Sequence, residues 1–339
     1  MKVITVRNVH QALPEGCHQL WSHGIDRESR NGRVRVLSEP LTTVYTHPWE
    51  RVLFWEERDA NPFFHLFEAL WMLLGRNDLE FVKAFNSNMG SYSDDGVTLN
   101  AAYGHRWRQH FGCDQLTHIA DALRSYPDCR RQVLGMWDVR EDLSCASLDL
   151  PCNTQAYFQR DELGSLDMMV TNRSNDLIWG AYGANAVHFS VLQEYMAAKI
   201  GVSCDVGQYW QTSFNTHLYH DPHLSLMESM AAKAPQLPHH LGCPYSASQV
   251  SHHPLVSISP TDWDRELREF MQTEKVDNLT DPFIIHVISP MWLAWKAFKT
   301  TVSQRHELAL DILSNVAASD WRRVCSAWII RKMDKVRYP

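Results

Sequence analysis

The chain has 339 residues, 45% of them hydrophobic and 21% charged, with a formal charge of −7. That balance belongs to a globular protein with a substantial buried core. It argues against a broad nucleic-acid surface, while leaving room for a few arginines around one phosphate. Eight cysteines without a CxxC pair read as reduced thiols of a cytosol. MKVITVRNVHQALPEG has no long apolar run behind its lysine, so no signal peptide is expected, and no stretch of eighteen apolar residues predicts a membrane span.

Residues 27–36, RESRNGRVRV, predict a turn at Asn31-Gly32 leading into a strand. In NPFFHLFEALWMLLG (61–75), Asn61 suits a cap, Pro62 the first helical position and Gly75 the end. Apolar residues cover nearly every face of this helix, so it is expected to be buried. RRQVLGMWDV (130–139) reads as a strand. QAYFQR and SLDMMVTNR flank the turn DELG and predict a hairpin. Residues 185–200 predict a helix closed by Gly201, and VGQYWQTSF predicts another strand. Ser289-Pro290 is expected to open one long helix through about 315, with a last helix over Asp320–Lys332. The His- and Pro-containing stretch 234–254 is expected to be irregular. Mixed elements and hairpins favour an α/β or α+β single domain with a mixed sheet.

Several residues carry chemistry. Glu68 lies among Phe64, His65, Trp71 and Met72 at helical spacing. A carboxylate there is costly unless paired, protonated or hydrated, so it is a structural ion pair or a functional group. Arg30, the adjacent Arg130 and Arg131, and Arg173 with Ser174 offer the forks and hydroxyl that suit a phosphate dianion; spacing alone does not show whether they converge. His217, His220 and His223 do not match a common zinc motif, and the pairs at 239–240 and 252–253 are weaker still, so no metal is expected. Phosphate loops, GxSxG and HExxH are absent. Cys152, in LPCNTQAYF, follows a proline at the start of an alternating pattern. It is either a small buried hydrophobe or an aimed nucleophile.

The ordered series SRNG (29–32), FEALWML (67–73), AAYGHRWR (101–108), CRRQVLGMWD (129–138), LPCNTQAYF (150–158), TNRSNDLIWG (171–180), GAN (183–185) and NTHLY (215–219) resembles thymidylate synthase and its sister pyrimidine hydroxymethylases. The resemblance covers roughly residues 25–225. It implies a thymidylate synthase-like mixed sheet with flanking helices and a homodimer packed sheet against sheet. The whole chain, 1–339, would then be one catalytic domain with a divergent helical C-terminal part from about 226. The substrates implied are a pyrimidine nucleoside monophosphate and 5,10-methylene-tetrahydrofolate. No membrane or nucleic-acid partner follows, and a phage-type enzyme would act in the host cytoplasm.

Carried over by the resemblance, Cys152 is the nucleophile that adds to carbon 6 of the pyrimidine. Arg30, Arg173 and Ser174 hold the phosphate, which Arg130 and Arg131 reach from the partner subunit. His217 and Tyr219 bind the sugar, and Asn185 reads the base edge. Glu68 organises water and moves protons, Tyr103 assists proton transfer, and Asp176 faces the folate. A nearby cation favours the reactive thiolate, and Arg173 is the candidate.

Four departures matter. Asn153 stands where the family usually has histidine. The family usually carries tryptophans in the segment matching FNSNMGSYSDDG (85–96), where they shield the methylene intermediate from water; here there are none, and Met89 and Tyr92 stand near those places, so a hydroxymethyl product is favoured over methyl. GAYGAN (180–185) is one residue longer than usual before the base-reading asparagine. The family's closing segment is also not recognisable in KMDKVRYP. Asn185 can donate and accept, which suits uracil; a cytosine reader is expected to use aspartate. The favoured activity is therefore conversion of dUMP to 5-hydroxymethyl-dUMP. The alternatives are a dCMP hydroxymethylase, a methylating enzyme (thymidylate synthase or a dCMP methyltransferase), and a non-enzymatic nucleotide- or RNA-binding relic.

Overall fold

A computed structural model describes residues 1–234 and 242–337. The chain divides into two compact units, Met1–Arg51 with Phe64–Leu241 and Val52–Phe63 with Gly242–Pro339. The histidine pair at 239–240 and part of the 234–254 stretch lie outside the described residues.

The first unit carries strands β1 (Lys2–Val6), β2 (Ile25–Ser29), β3 (Gly32–Val36), β4 (Leu41–Tyr45), β5 (Val133–Gly135), β6 (Asn153–Arg160), β7 (Leu166–Asn172), β8 (Asn175–Asp176), β9 (Val206–Ser213) and β10 (Thr216–Tyr219). Among the described residues they form two sheets, ordered β1-β4-β9-β7-β6-β5 and β2-β3-β10-β8. Both are mixed: β1 runs parallel to β4 and β7 to β9, while β4 and β9, β6 and β7, and β5 and β6 are antiparallel. In the smaller sheet β10 is antiparallel to β3 and parallel to β8. This is the mixed α/β arrangement that the sequence predicts.

The helices of this unit are α1 (Val9–His23), α2 (Pro62–Leu73), α3 (Leu79–Phe85), α4 (Tyr103–His105), α5 (Gln115–Ser125), α6 (Asn185–Ile200) and α7 (His220–Lys233). α2 buries Phe67, Leu70, Trp71 and Met72, as its nearly continuous apolar surface requires. Gly104 is packed so tightly that a Cβ would fall 1.9 Å from Met72 O. α6 is buried along most of its length and stops at Gly201, whose φ of +147° disfavours a side chain. The hairpin at Asn31-Gly32 forms as read, with Gly32 at φ +109°.

The strand expected over 130–139 shrinks to β5. Beyond Gly135 Met136 N and Trp137 N both donate to Thr154 O, which breaks the regular ladder, and side chains take other backbone groups. Arg106 Nη1 donates to Met136 O at 2.8 Å, and Asp138 N donates to Asp142 Oδ2 at 2.8 Å. Ladder bonds cannot form where those groups are already taken.

The second unit is helical: α8 (Pro260–Thr273), α9 (Ser289–Lys299), α10 (Arg305–Leu313) and α11 (Ser319–Arg337). The single helix expected from 289 to about 315 is two. Thr300 turns extended and its Oγ1 donates to Ala297 O at 2.8 Å, so a hydroxyl takes a terminal carbonyl of α9. Phe63, Trp295, Phe298 and Trp328 form the aromatic centre of this unit.

Candidate active site

The register of β6 against β7 builds the centre. Asn153 pairs with Asn172. Cys152, directly before β6, therefore lies beside Arg173, directly after β7, and Arg173 N donates to Cys152 O at 2.9 Å. The guanidinium folds back over the same loop, with Nε donating to Pro151 O at 2.7 Å and Nη2 to Leu150 O at 3.1 Å. A bulge at Asn153/Gln155 interrupts the ladder next to the cysteine; such bulges re-aim side chains beside active sites. The Tyr103 hydroxyl accepts from Cys152 N at 3.0 Å and Asn153 N at 3.1 Å, fixing the loop from α4.

The smaller sheet supplies more of the wall. β10 lies between β3 and β8, which brings His217 and Tyr219 together with the Arg30-Asn31 turn and with Asp176. A cavity of about 680 Å³ results, a size suited to a small-molecule ligand. Of the residues singled out in the sequence, Arg30, Tyr92, Cys152, Arg173, Ser174, Asp176, His217 and Tyr219 line it. Asp176 Oδ1 accepts from Ile178 N and Trp179 N, while its Oδ2 is buried without a hydrogen-bond partner.

Other candidates stand apart from this cavity. Glu68 on α2 lies against His188 on α6, Oε2 to Nε2 at 3.0 Å. Met89 lies in the short helical turn Ser87–Tyr92 and is not in the lining. Arg130 lines a different hollow on the larger sheet with Val133, Tyr157, Met169 and Trp210; Arg131 is exposed and lines neither. Asn185 is buried at the start of α6, bonded to Asn153 and Asn175. GAYGAN runs through wide, π-type turns over Leu177–Ala184, with Tyr182 and Gly183 outside helical geometry.

Burial and two neighbouring charges act on the Cys152 thiol. Burial pushes the Cys152 thiol above the usual cysteine range, the Arg173 guanidinium pulls it back, and the Asp149 carboxylate adds to the rise. Arg173 acts in the direction expected, but desolvation outweighs it. Burial and the neighbouring thiol likewise raise Tyr103, and burial raises Asp149 against the pull of Ala101 N–H and Arg106.

Asp149 and Trp179 line the cavity and escaped the sequence reading. Asp149 is near Cys152 in the chain, yet an aspartate among turn residues carries no signal of burial. Trp179 carries no such signal either, because an aromatic residue in an apolar segment reads as core; here it is exposed, with its ring 4.8 Å from His223. The histidines of HLYHDPH are engaged separately: His217 with Asn215, His220 with Asp26, and His223 with Trp179. Among the described residues one group of three metal-type donors draws together, His110, Asp138 and Glu141, with the glutamate exposed.

The thymidylate synthase family model matches residues 15–256, and the chain belongs to that family. It is 53% identical over 335 residues, 98% of this chain and 95% of the relative, to a deoxyuridylate hydroxymethyltransferase of Pseudomonas phage M6. A deoxyuridylate hydroxymethyltransferase of Bacillus phage SP01 is 37% identical over 203 residues, 57% of this chain and 52% of the relative. A putative thymidylate synthase of Methanothermobacter thermautotrophicus is 38% identical over 118 residues, 34% of this chain and 50% of the relative. The family match ends at residue 256, whereas the likeness to the phage M6 protein runs through nearly the whole chain.

Proposed function

We propose that this protein transfers a one-carbon unit from 5,10-methylene-tetrahydrofolate to carbon 5 of dUMP and leaves it as a hydroxymethyl group. The observation that carries the proposal is the gathering of Cys152 with Arg30, Arg173 and Ser174 around one cavity, in a chain so similar to the phage M6 relative. Cys152 thiolate adds to carbon 6 and carbon 5 becomes nucleophilic. When bound, the folate supplies the one-carbon unit at the oxidation level of formaldehyde. Carbon 5 would take that unit, lose its proton to a base and expel tetrahydrofolate, leaving a methylene on the nucleotide; water adding to this methylene carbon gives the hydroxymethyl group. Expulsion of the Cys152 thiolate then restores the ring double bond, and no hydride is needed.

The lining supports these roles. Arg30, Arg173 and Ser174 offer charge-assisted and hydroxyl donors for the phosphate, and His217 and Tyr219 sit side by side for the sugar. The unpartnered Asp176 Oδ2 is an acceptor for N–H groups of the folate ring, and exposed Trp179 offers an aromatic surface. Tyr92 and Asp149 make the wall polar enough to admit water. Glu68 would act through water, because it does not line the cavity. Arg130 and Arg131 would reach the phosphate from a second copy, and the exposed Val133 and Met169 on the larger sheet suit the sheet-to-sheet homodimer. We take residues 1–339 to work as one catalytic protein, its helical part included.

Mass spectrometry of the products, with dUMP and dCMP offered separately, tests the reading. 5-Hydroxymethyl-dUMP without dihydrofolate is expected. A methyl product with a rise in dihydrofolate absorbance would make this a methylating enzyme, and nucleotide binding without tritium release from carbon 5 would make it a relic.

A further inference from the structure

Asn185 belongs to a chain of buried amides whose direction is set from one end. Asn153 Nδ2 donates to Asn185 Oδ1 at 3.2 Å, and Asn185 Nδ2 donates to Asn175 Oδ1 at 3.1 Å. Asn175 Nδ2 donates to Gln211 Oε1 at 3.2 Å and to Ser213 Oγ at 3.0 Å. Gln211 Nε2 donates to Ala181 O at 3.2 Å and bonds the Tyr209 hydroxyl at 3.1 Å. All four amide side chains are buried. Gly180 leaves space for the chain, since a Cβ there would lie 2.4 Å from Asn175 Oδ1.

An amide side chain can turn over and exchange its donor for its acceptor, and most links here could run either way. Ala181 O cannot: a main-chain carbonyl only accepts. It holds the Gln211 NH2 toward itself and turns Oε1 to Asn175. Each following amide must then present its NH2 backwards and its oxygen forwards. Without Gln211 the Ser213 hydroxyl could donate to Asn175, and the whole relay could run in reverse. The forward direction ends at Asn153 Oδ1, which is buried and lacks a hydrogen-bond partner.

Direction matters for recognition. Uracil offers an acceptor at position 4 and a donor at ring nitrogen 3, while cytosine offers the opposite pair. One orientation of an asparagine amide matches uracil, and the same amide turned over matches cytosine. We propose that Gln211, on β9, is a specificity-determining positioning residue: by anchoring the relay on Ala181 O it locks the Asn185 amide in one orientation, so that the site accepts one pyrimidine and rejects the other. This rests on the proposed function together with Asn185 reading the base edge, as the family resemblance implies.

The test compares dUMP with dCMP, in kcat/KM and in calorimetric affinity, for the wild type and three variants. Gln211→Met keeps length and burial but removes the anchor; the dUMP-to-dCMP ratio is expected to fall about tenfold or more, chiefly by a gain in dCMP use. Asn175→Ser cuts the relay at another point and should do the same, so the idea stays testable if Gln211→Met folds poorly. Ser213→Ala removes a bond that does not set direction and should leave the ratio within about twofold. Equal loss on both nucleotides in Gln211→Met and Asn175→Ser, a wild type that binds both equally, or a Ser213→Ala ratio that falls like that of Gln211→Met would overturn the lock. Affinities need no turnover, so discrimination without product tells against the proposed function and not against Gln211.

Discussion

Cys152 is half-buried, and its thiol feels burial and charge together. Loop carbonyls occupy much of Arg173, whose charge only partly offsets the desolvation of the thiol. Because the folded thiol sits above its ordinary range, its thiolate forms late as pH rises, and the stability held in the neutral thiol is lost only at alkaline pH. Alkylation of Cys152 should therefore accelerate with a midpoint above that of a free cysteine. Arg173→Met should move the midpoint further up, because one of the two charged influences on the thiol, the favourable one, is gone. An iodoacetamide rate profile against pH reads both effects, and a downward shift in the variant would contradict the stated balance. Cys152→Ala should keep thermal stability and dUMP affinity but abolish turnover; retained turnover would exclude a covalent role.

At the scale of elements, the segment leading to β6 is held by a buried pair instead of by sheet. Arg106 Nη1 and Nη2 meet Asp142 Oδ2 and Oδ1 at 2.6 and 2.9 Å, both side chains wholly buried. Arg106 also donates to Asn100 O and Met136 O. Asp142→Ala leaves a guanidinium buried without its counter-charge and should cost about 3–5 kcal/mol, read as a lowered denaturation midpoint. Tyr103→Phe removes the acceptor for two amide N–H groups of the cysteine loop. A loss of about 1–3 kcal/mol is expected, with turnover falling more than nucleotide affinity, which kinetics and calorimetry separate.

At the scale of the whole molecule, the phosphate reading needs two chains. Arg130 and the cavity belong to different hollows of one chain. If the partner supplies these arginines, Arg130→Ala/Arg131→Ala and Cys152→Ala should each be inactive. Equilibrated together, they should regain about a quarter of wild-type activity, since half the dimers carry one intact site. No recovery on mixing, with dimers present by light scattering, would place the arginines outside the site.

The elements with short-range periodicity were legible from the start: the hairpin at Gly32, the helix ending at Gly201, and the β6–β7 pair. Their patterns depend on neighbours only two to four residues away. Cys152, Arg173 and Ser174 stand out by residue type and by the family resemblance; that they meet follows from strand pairing, which brings the end of β7 to the start of β6. The amino-acid order alone left other things open. That Asp149 Oδ2 accepts from Ala101 N, that Glu68 meets His188, and that Gln211 directs the amides follow from contacts between segments distant in sequence, which packing alone creates. The break at Thr300 and the shortened β5 belong here too, for in each a side-chain donor won a backbone carbonyl that helix or sheet would have used.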